Sequence, residues 1–122
     1  MSQRDIDSIK KIINSLTFRR VAYFFEDDML PIYLFKSEEF MEEQLGYRFD
    51  SEGNSLISNV PGEWHEEWFV IGYHEEFDDP IFVSLHDKNL PVYIAEHGLG
   101  IWEPICISLS LDDFIKKCKI IK

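Results

Sequence analysis

Cysteine is scarce in this chain. Cys106 and Cys118 are the only two among 122 residues, and their spacing makes neither a CxxC redox pair nor a zinc knuckle. Both read as small apolar residues in a reducing compartment, which predicts a cytoplasmic protein without a disulfide framework. Long apolar runs are missing too. No stretch approaches the ~18 consecutive apolar residues of a membrane span, and the opening MSQRDIDSIKKI lacks the basic region and continuous apolar core of a signal peptide, so neither membrane nor secretion is expected. Basic side chains are outnumbered: 12 Lys and Arg face 23 Asp and Glu, for a formal net charge of -11. That balance repels phosphate backbones and anionic lipid and attracts cationic surfaces, so nucleic acid is disfavoured as a partner.

Motifs that carry chemistry are equally sparse. There is no Walker loop, and Gly98-Leu99-Gly100-Ile101-Trp102-Glu103 fails the GxGxxG fingerprint at its last position. His97-Gly98-Leu99-Gly100 has the look of a glycine-rich oxyanion loop, but no GxSxG elbow accompanies it. Gly98 and Gly100 are therefore read as turn residues with positive φ, and His97 as a structural hydrogen-bonding residue. The histidines at 65, 74, 86 and 97 lack HExxH spacing, and His74-Glu75-Glu76 with Asp78-Asp79 lacks the alternation and closing glutamate of a calcium loop. No metal, cofactor or catalytic residue is expected. Trp64, Trp68 and Trp102 read as packed rings with satisfied indole N–H groups.

What is present is regular patterning. Ile6, Ile9, Ile12, Ile13 and Leu16 recur at helical spacing, with acid early and Lys10 and Lys11 late, which predicts an amphipathic N-terminal helix. Residues 20–25 and 30–35 read as extended segments, and Pro31 marks an edge or a strand start because it has no amide donor. A middle helix is predicted from Ser37 as its cap, with Phe40, Met41 and Leu45 facing inward and Gly46 as its stop. From Trp68 the pattern alternates, and residues 68–73, 81–85, 92–95 and 104–107 read as short antiparallel strands. Residues 110–119 predict a C-terminal helix capped by Ser110, with Asp113 three residues on, an inner face of Leu111, Phe114, Ile115 and Cys118, and lysines at its end. No repeat or low-complexity linker divides the chain. The expected fold is one α+β domain over residues 1–122: a mostly antiparallel sheet flanked by N-terminal, middle and C-terminal helices.

Several spaced pieces occur together: Glu63-Trp64, Trp68-Phe69-Val70-Ile71-Gly72, Asp79-Pro80-Ile81-Phe82-Val83, Leu90-Pro91-Val92-Tyr93, His97-Gly98-x-Gly100-x-Trp102-x-Pro104 and Ser110-Leu111-x-x-Phe114. Upstream stand Pro31-Ile32-Tyr33-Leu34-Phe35, Glu43-Gln44-Leu45-Gly46-Tyr47 and Gly53-Asn54-Ser55-Leu56. In this order they resemble the SUKH superfamily of Smi/Knr-like proteins, in its short bacterial branch, from about residue 30 to residue 114. This chain carries Asp78 where that family usually has glycine, Ser84 where it often has Asp, and Ile94 and Glu96 where it favours Thr and Met. The resemblance implies an α+β domain without catalytic machinery. Many bacterial members act as immunity proteins that neutralise toxins, frequently nucleases, and eukaryotic relatives look like regulatory adaptors.

Composition and resemblance together lead to one expectation: a non-catalytic cytoplasmic immunity protein that covers a basic toxin domain. Glu75, Glu76, Asp78, Asp79 and Asp87 would steer the encounter, with Tyr93, His97 and Trp102 as anchors. The alternative is a general adaptor that binds a protein partner, with no toxin, through an exposed sheet edge. A third class is an enzyme or small-ligand binder using His97.

Overall fold

The structure, a computed structural model, describes residues 3–97 and 100–120. Helix α1 (Gln3–Ile13) buries Ile6, Ile9 and Ile13, with Lys10 and Lys11 in its last turn, where the negative end of the helix dipole favours cations. Arg19 closes the carboxyl end of α1. Its guanidinium donates to the Leu16 carbonyl at 2.7 Å and to the Phe35 carbonyl at 3.1 Å, tying the helix exit to the sheet.

Six strands follow as an antiparallel meander, each paired with its successor: β1 (Arg20–Phe25), β2 (Asp28–Leu34), β3 (Trp68–His74), β4 (Pro80–Ser84), β5 (Val92–Glu96) and β6 (Glu103–Ser108). Helix α2 (Leu111–Lys117) then carries the chain back to β7 (Lys119–Ile120), which pairs with β1 and makes the sheet order β6-β5-β4-β3-β2-β1-β7. The Ser110 hydroxyl accepts the Asp113 N–H at 3.1 Å, and Leu111 and Phe114 are buried.

The sheet is curled rather than flat. Tyr23 on β1 donates its hydroxyl to the Ile107 carbonyl on β6 at 2.6 Å, and its ring packs on Phe114 of α2 with centroids 4.7 Å apart. Since α2 touches both β1 and β6, it lies in the concave side of a seven-stranded half-barrel. Strand β3 is buried along nearly its whole length, as a strand covered on both faces must be. None of the helices among the described residues is long and apolar enough to cross a membrane.

This architecture corrects the expected fold class. The molecule is mostly antiparallel sheet with two short helices, and the α+β arrangement of N-terminal, middle and C-terminal helices flanking the sheet is not what forms. The segment after Ser37 makes only two 3-10 turns, Ser37–Glu39 and Glu42–Gln44. Of its expected inner face, Phe40 is buried but Met41 and Leu45 are about half exposed, while the polar Gln44 is completely buried. The physical reason is a gap in the sheet. Strand β2 ends at Leu34, opposite Gly72, so the lower part of β3, paired with β4 on one side, has no strand on the other. The Gln44 amide fills the place of one: its Oε1 accepts the Val70 N–H at 3.0 Å and its Nε2 donates to the Val70 carbonyl at 2.9 Å. Arg48 continues the edge by donating to the Trp68 carbonyl at 2.8 Å. A helix here would turn these groups away.

Two smaller corrections follow from the same sheet. Pro31 lies inside β2, an interior strand, rather than at an edge; the ladder to β3 begins just beyond it, at Ile32 opposite His74. The C-terminal helix stops at Lys117, and Lys119 belongs to β7.

Candidate binding site at the acidic end of the sheet

In an antiparallel meander, alternate connections emerge at the same end. The β1–β2, β3–β4 and β5–β6 connections therefore share one end of this sheet, and β4–β5 lies at the other. These three place at that end Glu26, Asp27 and Asp28, then Glu75, Glu76, Asp78 and Asp79, then Glu96 and Glu103, with no Lys or Arg in those connections.

The β3–β4 connection is shaped by His74. This buried imidazole accepts the Glu76 and Phe77 N–H groups on Nδ1 at 3.1 and 3.3 Å, and its ring lies 4.9 Å from that of Phe77. The turn closes through Asp78 N–H to the His74 carbonyl and His74 N–H to the Asp79 carbonyl, both 2.8 Å. Asp78 takes a φ of 59°, in the left-handed region that glycine occupies most easily. Phe77 is left at the tip, 70% exposed.

Beside this turn sits a cluster of rings. His97 stacks on Trp102, with centroids 4.0 Å apart and planes 10° from parallel. Trp102 meets Trp64 at 5.4 Å and Tyr47 at 5.6 Å, and its backbone N–H donates to the Gly62 carbonyl at 2.9 Å. Gly62 must be small there: with φ at 89°, a side-chain carbon on it would press on Ile101. Trp64 and Trp68 are core, the Trp64 indole N–H donating to the Trp68 carbonyl at 3.2 Å.

Two clefts open around these residues. One, of about 480 Å³, is lined by Phe77, Asp79, Glu96 and His97. The other, of about 290 Å³, is lined by Tyr47, Glu63, Trp64, His97 and Trp102, with Gly46, Leu56 and Gly100. His97 walls both. Burial, and after it Glu96, pushes the Asp79 carboxyl above its ordinary value; His74 opposes this and Asp78 adds to it. The Tyr47 phenol, in the lining of the second cleft, is pushed up by burial and then by Asp78, Glu43 and Asp79. The arrangement offers flat aromatic surface next to carboxylates, suited to a cation with a planar face.

The expected site residues divide. Asp79, His97 and Trp102 come together, with Glu76 and Asp78 exposed beside them. Glu75 is already engaged, since both its carboxylate oxygens accept from Arg20 Nε at 3.0 Å. Asp87 lies at the opposite end, on the β4–β5 connection, where its carboxylate accepts the Asn89 N–H at 2.9 Å. Tyr93 stacks on Phe82, and its phenol is pushed up by burial and then by Cys106, Asp87 and Glu67, so it belongs with that far end. Phe77, Tyr47 and Glu96 were not singled out as site residues from the sequence. For Phe77 there was a signal: a large aromatic set among Glu75, Glu76, Asp78 and Asp79 has no place in a strand pattern. Gly100 has the positive φ expected of it, 81°, whereas Gly98 and Leu99 lie outside the described residues. Comparison with known proteins finds no family model, no curated protein and no solved structure that matches this chain.

Proposed function

We propose that the chain is a non-catalytic binding protein of the immunity type, akin to the Smi/Knr-like proteins it resembles, which works in the cytoplasm by seating its acidic end over a basic toxin domain of the nuclease class. The observation that carries this reading is the gathering at one end of the sheet of two acidic hairpin connections and of Glu96 and Glu103, which flank a third, without a lysine or arginine in those connections. A carboxylate-rich end, in which Arg20 meets Glu75, steers a cationic partner to a defined orientation and repels nucleic acid, which a nuclease inhibitor must not itself retain. The glycine-like backbone of Asp78, at the position where the resembling family usually has glycine, supports the same kinship.

The test is co-expression with the toxin module encoded beside the gene, followed by co-purification and growth rescue. Replacing Glu76 and Asp78 by lysine together should lower the association rate at low salt by about ten-fold or more and flatten its salt dependence. An unchanged rate and salt slope would sink the reading.

A second reading, a regulatory adaptor with no toxin, is favoured by one observation. Strand β6 is the outer strand of the sheet, and residues 103–106 on it are all exposed, Ile105 by 46%. Such an edge accepts an added strand. Under that reading Ile105→Lys prevents partner capture and the Glu76/Asp78 reversal does not.

A further inference from the structure

We propose that the site walled by His97 is a receptor for a single arginine side chain of the protein partner. This rests on the reading of the chain as a binder of a basic protein and narrows it to one chemical group at one place.

Three observations lead there. First, two clefts meet at His97, one acidic, with Asp79 and Glu96, and one aromatic, with Tyr47 and Trp102, so His97 is the wall between an acidic half and an aromatic half of the site. Second, the His97 and Trp102 rings stack face to face, 4.0 Å apart and 10° from parallel, so the pair holds the His97 ring at the junction of the two halves. A guanidinium is planar and weakly hydrated, so it stacks on aromatic rings while its N–H fork reaches a carboxylate; an ammonium is compact, strongly hydrated and does neither as well. Third, the chain supplies a cation for one acid of this turn and not for the next. Glu75 holds Arg20 by two contacts of 3.0 Å, whereas Asp79 and Glu96 have no hydrogen bond or ion pair to their carboxylates among the described residues.

The electrostatics agree with this geometry. The Asp79 carboxyl is raised above its ordinary value by burial first and then by Glu96, a cost that an arriving cation would relieve. Phe77, exposed by 70% at the mouth, gives an incoming arginine's methylene stem an apolar surface to cover. An uncharged or anionic ligand would leave the half-buried Asp79 carboxylate without a cation, and so is disfavoured.

The experiment uses the whole chain and three blocked tripeptides, acetyl-Gly-Arg-Gly-amide and its lysine and citrulline counterparts, titrated by two-dimensional amide NMR. The arginine peptide should shift the Trp102 indole N–H and the amides of Asp79, Glu96 and His97 saturably. The lysine peptide should bind about ten-fold more weakly, and the isosteric but neutral citrulline peptide not at all. Asp79→Asn should abolish the response, Trp102→Leu should weaken it, and Asp87→Asn at the far end should leave it intact. Should Trp102→Leu fold poorly, Asp79→Asn decides alone, since it removes a charge that the folded state disfavours. Equal shifts with citrulline, no saturable shift with arginine, or indifference to Asp79→Asn would overturn the proposal. The two readings fail separately. Arginine binding without any toxin complex leaves the receptor and removes the immunity role; a toxin complex broken by the Glu76/Asp78 reversal but untouched by Asp79→Asn does the opposite.

Discussion

His74 shows how much of the site hangs on one side chain. Its Nδ1 accepts the Glu76 and Phe77 amides from within the buried end of β3, so a ring in the core sets the course of the exposed acidic turn. Phenylalanine at this position keeps the ring packing and removes the acceptor. His74→Phe should cost about 1–3 kcal/mol in urea unfolding, with faster hydrogen exchange at residues 76 and 77; full stability with unchanged exchange would count against the role assigned to it. Asp79, in the same turn, runs the other way. Its folded carboxyl is raised above the ordinary value by burial first, then by Glu96, against His74 and with Asp78, so the folded state binds the proton more tightly than the unfolded chain does. The stability this contributes is fully present below the ordinary carboxylate value and is lost as pH rises through the folded value. At pH 7 the charge is a cost. Asp79→Asn should therefore raise the unfolding midpoint at pH 7 and lose that advantage on acidification below the carboxylate range, while weakening partner binding. A residue that destabilises the free protein and strengthens the complex is what a binding site is expected to contain.

Among the elements, the strands were the most legible. Alternation and β-branched or aromatic content outline β1 and β3 to β6 to within a residue or two, and the Ser110 cap with Asp113 gives the start of α2. The middle segment was not legible. Phe40, Met41 and Leu45 have helical spacing, but what decides their fate is that β2 is shorter than β3, a tertiary fact that leaves Val70 in need of a partner. Gln44 answers that need, and nothing in a one-dimensional pattern marks a glutamine as core. Gln44→Leu, which matches in size but leaves the buried Val70 N–H and C=O unsatisfied, should cost about 2–4 kcal/mol. Equilibrium denaturation measures it, and a loss under about 0.5 kcal/mol would mean that water replaces the amide. The site was half legible for a related reason. Asp79, His97 and Trp102 stand on connections, where turn residues catch the eye, but Tyr47 reaches them only because residues 45–67 fold back over the sheet, and Asp87 seemed their neighbour only along the chain.

The whole molecule is held in its curled form by few contacts between its extremes. Tyr23 donates to Ile107, 84 residues away, Phe114 packs against Tyr23, and β7 pairs with β1. Removing the hydroxyl leaves the buried Ile107 carbonyl without its donor. Tyr23→Phe should lower stability by about 1–2 kcal/mol, and the slowed-exchange amides of β1 and β6 should lose protection together while β3 and β4 keep theirs. Loss of protection spread evenly over all strands would show that the curl is not closed at this point. The same closure has a consequence in time. The apolar side of α1 and β1 is synthesised first, but the residues that cover it, from Ile107 through Ile120, follow on the order of 5–15 s later at ribosomal speed. Each hairpin in between can form as soon as its two strands emerge. Until α2 arrives, a growing chain is thus an open row of hairpins with Tyr23 uncovered, and that interval is when a chaperone or a second nascent chain would meet it.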